Sequence, residues 1–393
     1  SDANGIGDFA YAPPSGFLAL CTSNLPDPVI DPAQDATPED HFNVVTFTGD
    51  GTTDGSQVIT VGFQPDLTWH KSRSSAAFHA IADSVRGGNL FLASNATAAE
   101  DASNNDGIVW NSTGYAVDQA SDWNSLNTSG LSIVSWNWKA GGTATTIAVG
   151  DIDGTNPTIA TNVSANTTSG FSIIGYTGNG TDGATIAHGL DSPPELCIFK
   201  TRDDAVSWIV GGYPYGPSVF SANNQLCSLD LTAAVVAAGS NAFTVGTSYI
   251  TLDDQGGALG AGPDDMICYC FHSVDGFSKV GSYTGNGSSD GPFIYTGFRP
   301  QFVMVKNASA TGDWRIWDDN RNGNAGAGNN VTIRPIAPNL SSAENTQTDS
   351  VVGIDMLSNG FKIRSTGSYH NGSGNTHIFL CFAESPFKYS NAR

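Results

Sequence analysis

The chain has 393 residues, about two and a half times a typical ~150-residue domain, which excludes a single small core. Hydrophobic residues make up 39% of the chain and charged residues 13%, so it can build packed interiors and is not a disordered polyampholyte. Its 46 glycines and 18 prolines favour frequent turns over long helices. We therefore expect an all-β fold.

The charge balance is strongly acidic, with 16 Lys and Arg against 37 Asp and Glu and a formal net charge of -21. Such a surface repels phosphate backbones and anionic lipid, so we expect neither nucleic-acid binding nor membrane insertion. No apolar run reaches the ~18 residues that a membrane-spanning helix needs. The chain begins at Ser1 without the basic and apolar regions of a signal peptide, and we expect processing from a longer precursor.

The first segment in chain order is a proline-rich arm, residues 1–41. Its prolines keep it from pairing as a central strand, so we predict an extended arm lying over a neighbouring surface. Three tandem β-sandwich domains of jelly-roll-like type are predicted to follow, at residues 42–142, 171–274 and 275–393. Residues 143–170 are either a linker or an extra hairpin on the first domain. Because almost no linker separates the second and third domains, we expect an elongated, stiff rod.

An internal repeat defines these three domains. Each opens with an aromatic residue and a Thr-Gly-Asp/Asn-Gly turn, at residues 47–51, 176–180 and 283–287. Each continues with a proline, five mostly apolar residues and a lysine, as in Pro65 to Lys71, and closes on a strand that is apolar on both faces. The other two pairs are Pro194 to Lys200 and Pro300 to Lys306. Strands of this kind are typical of the interior of a layered sheet structure, so we infer a triplicated β-sandwich.

An aspartate three positions before an arginine recurs in the first and third domains, as Asp83 with Arg86 and Asp318 with Arg321. At that spacing a carboxylate and a guanidinium close a turn through two hydrogen bonds, and we favour this structural role over a ligand-binding pair. The second domain has Gly211-Gly212-Tyr213-Pro214 at the corresponding place, so one domain does without the pair.

Tryptophans are the candidate ligand-binding residues, because exposed aromatic rings let β-sandwiches stack on sugars. Trp69, Trp136 and Trp138 lie in apolar strands and are expected in the core. The other five tryptophans are divided between core and surface, and they are the candidate sugar-binding residues: Trp110, Trp123, Trp208, Trp314 and Trp317.

The sequence contains no phosphate loop, and its seven histidines lack the spacing of a zinc site. Cys268 and Cys270 project from one face of a predicted strand like half a metal site, but core packing of free thiols is favoured. Asp151 and Asp153 offer oxygen ligands to Ca²⁺, although an acidic turn needs no ion. We therefore expect a non-enzymatic protein without a cofactor, with calcium as the alternative.

Several segments resemble large virion proteins of tailed bacteriophages, including marine ones. Residues 7–26, which begin Gly-Asp-Phe-Ala-Tyr-Ala-Pro-Pro, resemble the segment that follows a SPRY-type domain in those proteins. Residues 62–87 and 136–142, the latter Trp-Asn-Trp-Lys-Ala-Gly-Gly, are similar to the next part. Residues 357–362 and 381–393, with Phe-Ala-Glu-Ser-Pro-Phe and a final Asn-Ala-Arg, are similar to the terminal signature of the family. The resemblance covers nearly the whole chain.

The resemblance implies a structural component of the virion surface, often of a fibre or appendage, with no known catalytic residues. We therefore expect a bacteriophage tail-fibre or surface protein that takes part in host attachment. The alternatives are a secreted or cell-surface carbohydrate-binding adhesin and a purely architectural capsid or tail subunit. The expected partners are further copies of the chain, with a trimer favoured because threefold symmetry multiplies weak sites, other virion proteins, and a host surface glycan.

Overall fold

A computed structural model describes residues 1–390 except 26, 103–106, 119–122, 124, 240, 322–330 and 345–352. Nearly all of the regular structure is antiparallel β-sheet, so the predicted all-β class is confirmed. The helices in this part of the chain are α1 (Ser368–Asn371) and 3₁₀ helices at Thr22–Asn24, Pro32–Gln34, Pro38–Asp40 and Phe387–Tyr389. None of them is long and apolar enough to cross a membrane.

Module 1, residues 42–142, consists of a large sheet of strand order β1-β9-β3-β4-β5-β6 packed on a small sheet of order β2-β8-β7. The strands are β1 (Phe42–Thr48), β2 (Gln57–Thr60), β3 (Leu67–Ser72), β4 (Ala80–Asp83), β5 (Gly87–Leu92), β6 (Asp101–Ala102), β7 (Ile108–Asn111), β8 (Gly114–Val117) and β9 (Ser132–Trp138). The predicted buried strand after Pro65 is β3, and all six of its residues are buried.

Module 2 has a large sheet of order β10-β11-β12-β20-β14-β15, a small sheet of order β13-β19-β18 and a two-stranded ribbon, β16-β17. The strands are β10 (Thr145–Ile147), β11 (Thr161–Asn166), β12 (Phe171–Thr177), β13 (Ala184–Ala187), β14 (Leu196–Thr201), β15 (Ile209–Gly211), β16 (Gln225–Leu226), β17 (Val236–Ala237), β18 (Asn241–Val245), β19 (Tyr249–Gln255) and β20 (Asp265–Phe271). Strands β10 and β11 come from residues 143–170. They extend the sheet of module 2 through the pairing of β11 with β12, and not the sheet of the first domain.

Module 3, residues 275–390, pairs a sheet of order β21-β28-β23-β24 with one of order β22-β27-β26-β25. The strands are β21 (Ser278–Thr284), β22 (Phe293–Tyr295), β23 (Phe298–Asn307), β24 (Arg315–Asp318), β25 (Val331–Thr332), β26 (Ile354–Leu357), β27 (Gly360–Ile363) and β28 (Thr376–Pro386). Each repeat has therefore folded into its own two-layered sandwich.

All three modules share one arrangement of strands. In module 1 the opening strand β1 pairs with the closing strand β9, and β2 pairs with the penultimate strand β8, as the corresponding strands of a jelly roll do. The fourth strand of a jelly roll crosses to the opposite sheet, whereas β4 stays beside β3. The modules thus have the outer pairings of a jelly roll and a different inner pairing.

The large sheet of each module is buried on both faces, which explains the closing strands that are apolar on both sides. In β20, Met266, Cys268 and Cys270 face the interior of module 2. The alternate residues Ile267, Tyr269 and Phe271 face a second core that also contains residues of modules 1 and 3. Since successive side chains of a strand point to opposite faces, a single strand supplies both cores.

The three modules surround this shared central core and do not form the expected rod. The ring centres of Phe42 in module 1 and Phe302 in module 3 are 5.5 Å apart. Those of Phe271 in module 2 and Phe382 in module 3 are 6.0 Å apart. Modules 1 and 2 meet as well, where the Trp208 indole donates to the carbonyl of Ala93. A linear array would leave one face of each large sheet in water, so closing the ring buries apolar surface that a rod would expose.

The N-terminal arm is anchored at its end nearest module 1. Ile30 is fully buried in the central core, and Tyr389 donates a hydrogen bond to Asp31. The first part of the arm is a loop organised by Asp2, whose carboxylate accepts from the backbone of Ala19 and the amide of Asn24. These hydrogen bonds lower the pKa of Asp2 to about 2. Of the phage-like terminal segments, Pro26 and Asn391-Ala392-Arg393 lie outside the described residues.

Candidate functional site

The residue eight positions after each repeat lysine joins one module to the next. Trp208 of module 2 donates its indole N–H to the Ala93 carbonyl of module 1 at 2.9 Å. In the same way Trp314 of module 3 donates to the Ser228 carbonyl of module 2 at 2.9 Å. In module 1 this position is His79, whose Nε2 lies 3.1 Å from the Ala337 carbonyl of module 3. The contacts run around the ring in one direction and close it.

Three of the five candidate sugar-binding tryptophans are therefore core residues. Trp208 and Trp314 are buried in the central core. Trp317 is buried in the sandwich of module 3, with its ring 5.1 Å from that of His370. None of these rings can stack on a sugar from solution, because Trp208 and Trp314 are covered by neighbouring modules and Trp317 by the second sheet of its own module.

The remaining two candidates lie in module 1. Trp110 is partly buried against the module core. Trp123 is mostly buried, but it lines a surface pocket of about 150 Å³ together with Phe78, which is half exposed, and Asp101. Trp123 is therefore a tryptophan that the structure places in the wall of an open cavity.

The Asp83–Arg86 pair closes a buried turn. Asp83 accepts hydrogen bonds from the backbone and from Nε of Arg86, the latter at 2.6 Å, and both side chains are fully buried. Tyr269 of module 2 donates its hydroxyl to the same carboxylate at 2.7 Å. Burial alone would lower the pKa of Arg86, but Asp83, Tyr269 and Glu100 together outweigh it and raise the pKa. The pair is thus a buried ion pair at a module boundary.

This pair extends into an ion network across the 1–2 junction. Glu100 accepts from Arg86 at 2.9 Å and from Arg202 of module 2 at 2.7 Å. Burial would raise the pKa of Glu100, but hydrogen bonds from Arg202 and the charge of Arg86 hold it below its usual value. We call this series of ion-paired side chains, Asp–Arg–Glu–Arg, together with the residue that donates a hydrogen bond to its aspartate, the junction network.

The junction network occurs a second time, between modules 3 and 1. Asp318 pairs with Arg321 at 2.6 Å, and Glu344 accepts from Arg73 of module 1 at 2.7 Å. The Asp318 carboxylate is capped by the indole N–H of Trp136 at 2.8 Å, as Tyr269 caps Asp83. Trp136 and Tyr269 occupy the same position of their closing strands.

The 2–3 junction lacks the whole junction network. The positions that correspond to Asp, Arg, Glu, Arg and the capping residue hold uncharged side chains: Gly212, Tyr215, Val235, Ala308 and Leu380. The backbone contact is retained, because the N–H of Val235 donates to the Ala308 carbonyl at 3.0 Å, as Glu100 donates to Arg202 at 2.7 Å. The geometry of the three junctions is therefore alike while their chemistry differs.

The repeat lysines are buried in all three modules and are bound by carbonyl oxygens. Lys71 and Lys200 each donate to two carbonyls of the turn that follows them, and Lys306 donates to Gly312 and to Thr232 of module 2. Burial lowers the pKa of each lysine to about 8. None of the three forms an ion pair with a carboxylate in the described part of the chain.

Where the three modules meet, the central core encloses a small apolar cavity. Its volume is about 20 Å³, and its walls include Trp69 of module 1, Trp208 of module 2 and Met304 of module 3. A space of this size has room for a single water-sized molecule, and the walls offer no polar partner. The centre of the ring is therefore a packing feature.

The larger open concavity is a groove of about 260 Å³ between the arm and module 3, which we call the arm groove. Tyr295 is 56% exposed, and the Lys279 ammonium lies 5.5 Å from the centre of its ring. Asp27 of the arm and Lys388 pair on the other side. An exposed aromatic ring beside an ammonium suits a sugar that carries a carboxylate, through stacking and charge.

The acidic turn considered for calcium has its oxygens engaged by the protein. The Asp153 carboxylate accepts hydrogen bonds from the backbone of Thr155 and Asn156 and from the Asn156 amide. Asp151 accepts from the backbone of Ala148. Both carboxylates thus stabilise a turn, and these hydrogen bonds lower the pKa of Asp153.

The sequence interpretation missed Tyr295, Lys279 and Cys197. The sequence does not show that the arm passes beside Tyr295, so this ring carries no signal of its own. Cys197 was detectable, since the repeat register places it opposite Cys270 on the neighbouring strand.

Comparisons with known proteins give one match. A family model described as a domain of unknown function (DUF7483) matches residues 37–386. A search of curated proteins and a search of solved structures each found no match.

Proposed function

Since the chain belongs to the DUF7483 family, whose description assigns no activity, we propose its function from its own architecture: a non-enzymatic structural protein of the bacteriophage virion surface that takes part in host attachment. The observation that carries this proposal is that the buried charged side chains pair with one another at the junctions between modules. The junction networks join neighbouring modules, and their carboxylates and guanidinium groups form ion pairs with one another. Buried ion pairs that fix the orientation of neighbouring modules suit a scaffold that must keep its shape outside a cell.

The arm groove is the proposed contact with a host glycan. It combines the exposed ring of Tyr295 with the ammonium of Lys279 on the rigid edge of module 3. The groove holds two lysines and two aspartates, so an anionic sugar meets less repulsion there than a chain with a formal net charge of -21 presents on average. We propose a uronic or other carboxylated sugar as the ligand class.

A glycan array with purified chain tests this contact. Tyr295→Ala and Lys279→Ala should each weaken binding to carboxylated glycans at least tenfold, and raising the salt concentration should weaken it further. Tyr215→Ala is the matched control, because Tyr215 is an exposed tyrosine of module 2 outside the groove. Equal loss in all three variants, or binding that depends on Trp123 instead, would refute the assignment to the arm groove.

The purely architectural role remains a second candidate, because the arm carries apolar side chains in water. Tyr11, Phe17 and Leu20 are largely exposed. Such side chains suit burial against another virion protein or a further copy of the chain. Tyr11→Ser with Leu20→Ser should abolish incorporation into particles if this role holds and leave glycan binding intact. Incorporation at the normal level would count against it.

A further inference from the structure

Three cysteine thiols meet inside the sandwich of module 2. Cys197 on β14 is the register partner of Cys270 on β20, and Cys268 precedes Cys270 by two positions on the same face. The Sγ atoms of Cys197 and Cys270 are 3.7 Å apart, and those of Cys268 and Cys270 are 3.6 Å apart. All three sulfurs lie within 4.8 Å of one another, and all three residues are fully buried.

The fold itself does not require cysteine at these positions. Module 1 has Thr68, Ser135 and Asn137 at the corresponding positions of β3 and β9. Module 3 has Val303, Phe379 and Cys381 at those of β23 and β28. The same sandwich is thus built with two other sets of volumes and polarities, so packing alone does not account for the sulfur triangle.

Two polar groups lie beside the triangle. Ser172 on β12 is the register partner of Cys270, and its buried hydroxyl forms a hydrogen bond with that thiol. The ring of His188 is fully buried near Cys270, and its Nε2 has no hydrogen-bond partner among the described residues. A buried hydroxyl and a buried imidazole N–H beside three thiols are donors that suit negative charge on sulfur.

We propose that Cys197, Cys268 and Cys270 form a three-sulfur site for monovalent copper. Thiolates are soft ligands that select monovalent copper, zinc and iron–sulfur clusters. Structural zinc takes four protein ligands, whereas the donor cluster in the described part of the chain consists of these three sulfurs. Monovalent copper is the member of that group that three sulfurs alone can satisfy.

His188 supports the cluster and is not a fourth ligand. Its Nδ1 accepts a hydrogen bond from the backbone N–H of Leu190 at 3.1 Å, which places the ring proton on Nε2. A protonated nitrogen cannot bind a metal, but it can donate to a thiolate. Each coordinated thiol loses its proton to solvent as its Cu–S bond forms, and no electron is transferred.

The test uses the full chain, refolded without oxygen in the presence of a monovalent copper complex and a non-thiol reductant. After removal of loosely bound metal, one copper per chain is expected, and X-ray absorption should show a shell of sulfur only. The melting temperature should rise with copper, because a ligand that binds only the folded state stabilises it.

Two variants and one control separate the site from simple packing. Cys197→Val and Cys268→Ser introduce the residues that modules 3 and 1 use at those positions, so both should fold, and both should lose at least nine-tenths of the bound copper. Cys381→Ser alters the counterpart of Cys270 in module 3 and should keep full occupancy.

Three results would overturn the proposal. The first is full copper retention in folded Cys197→Val and Cys268→Ser. The second is a nitrogen ligand in the metal shell, or tighter binding of zinc than of copper, which would make His188 a ligand. The third is a preparation without copper uptake in which the five buried thiols react only after unfolding, which would leave three packed side chains.

Discussion

Two junctions of the ring hold an ion network, and the third has uncharged side chains at the matching positions. The 1–2 and 3–1 junctions each bury an arginine between two carboxylates, as Arg86 lies between Asp83 and Glu100. The 2–3 junction presents Val235 and Leu380 at the matching places and keeps the same backbone hydrogen bond. One architecture therefore tolerates two chemistries at equivalent contacts.

The difference teaches that the junction network behaves as a unit. Removing one partner would leave a buried charge uncompensated, whereas replacing every member with apolar residues is often neutral or stabilising. The repeat shows this pattern, because the four charged positions are either all charged, as at two junctions, or all uncharged, as at the third. The networks therefore hold the orientation of their junctions, and the shared apolar core provides most of the binding energy in all three.

The largest expected effect comes from breaking one network. Arg86→Ala should lower the free energy of unfolding by about 3–5 kcal/mol, because it strands the buried carboxylate of Asp83. Arg321→Ala should do the same at the 3–1 junction. Tyr215→Ala, at the equivalent position of the 2–3 junction, should cost about 1 kcal/mol or less. Urea denaturation of the three variants measures this, and equal losses would contradict the unit behaviour.

The repeat lysines should affect all three modules alike. Burial lowers the pKa of Lys200 from 10.5 to about 8 in the folded chain. Between those pH values the unfolded chain binds more protons than the folded chain, so the free energy of unfolding increases as the pH rises. Lys200→Met should therefore be most stabilising relative to wild type near pH 7. The difference in the free energy of unfolding between Lys200→Met and wild type should decrease by about 1–3 kcal/mol between pH 7 and pH 10.5. Denaturation curves across this range provide the comparison, and a constant difference would show that the lysine does not titrate in the window.

The smallest effect is expected from the hydrogen bonds that close the ring. Trp208→Phe and Trp314→Phe keep an aromatic ring but remove the N–H donor to the neighbouring module, which should cost about 1 kcal/mol plus a small packing loss. Thermal unfolding should show similar losses in both variants, although Trp208 reaches the ionic 1–2 junction and Trp314 the uncharged one. A loss confined to one variant would mean that the junction chemistry governs these contacts.

Much of the β-architecture follows from local sequence. The proline, five apolar residues and lysine of each repeat located β3, β14 and the last part of β23, and the closing strands were identified from their two apolar faces. Residues 143–170 offered a choice between linker and hairpin. Their attachment to module 2 depends on the pairing of β11 with β12, which strand composition alone does not determine.

The ring itself was not predicted, because an apolar face does not specify which surface will cover it. Trp208 and Trp314 therefore remained candidates for the surface, although the second apolar face of each closing strand already called for another layer. A stronger signal lay in the repeat, where Asp83, Arg86 and Glu100 have counterparts in module 3 and all three are missing together from module 2. Charged residues that are all present in two repeats and all absent from the third indicate that these residues contact one another.

The closed ring of three modules is tested most directly by small-angle X-ray scattering of the monomeric chain. A compact arrangement of 393 residues predicts a radius of gyration of about 21 Å and a bell-shaped distance distribution. A radius well above that value, with the skewed distribution of three bodies in a line, would contradict the shared central core.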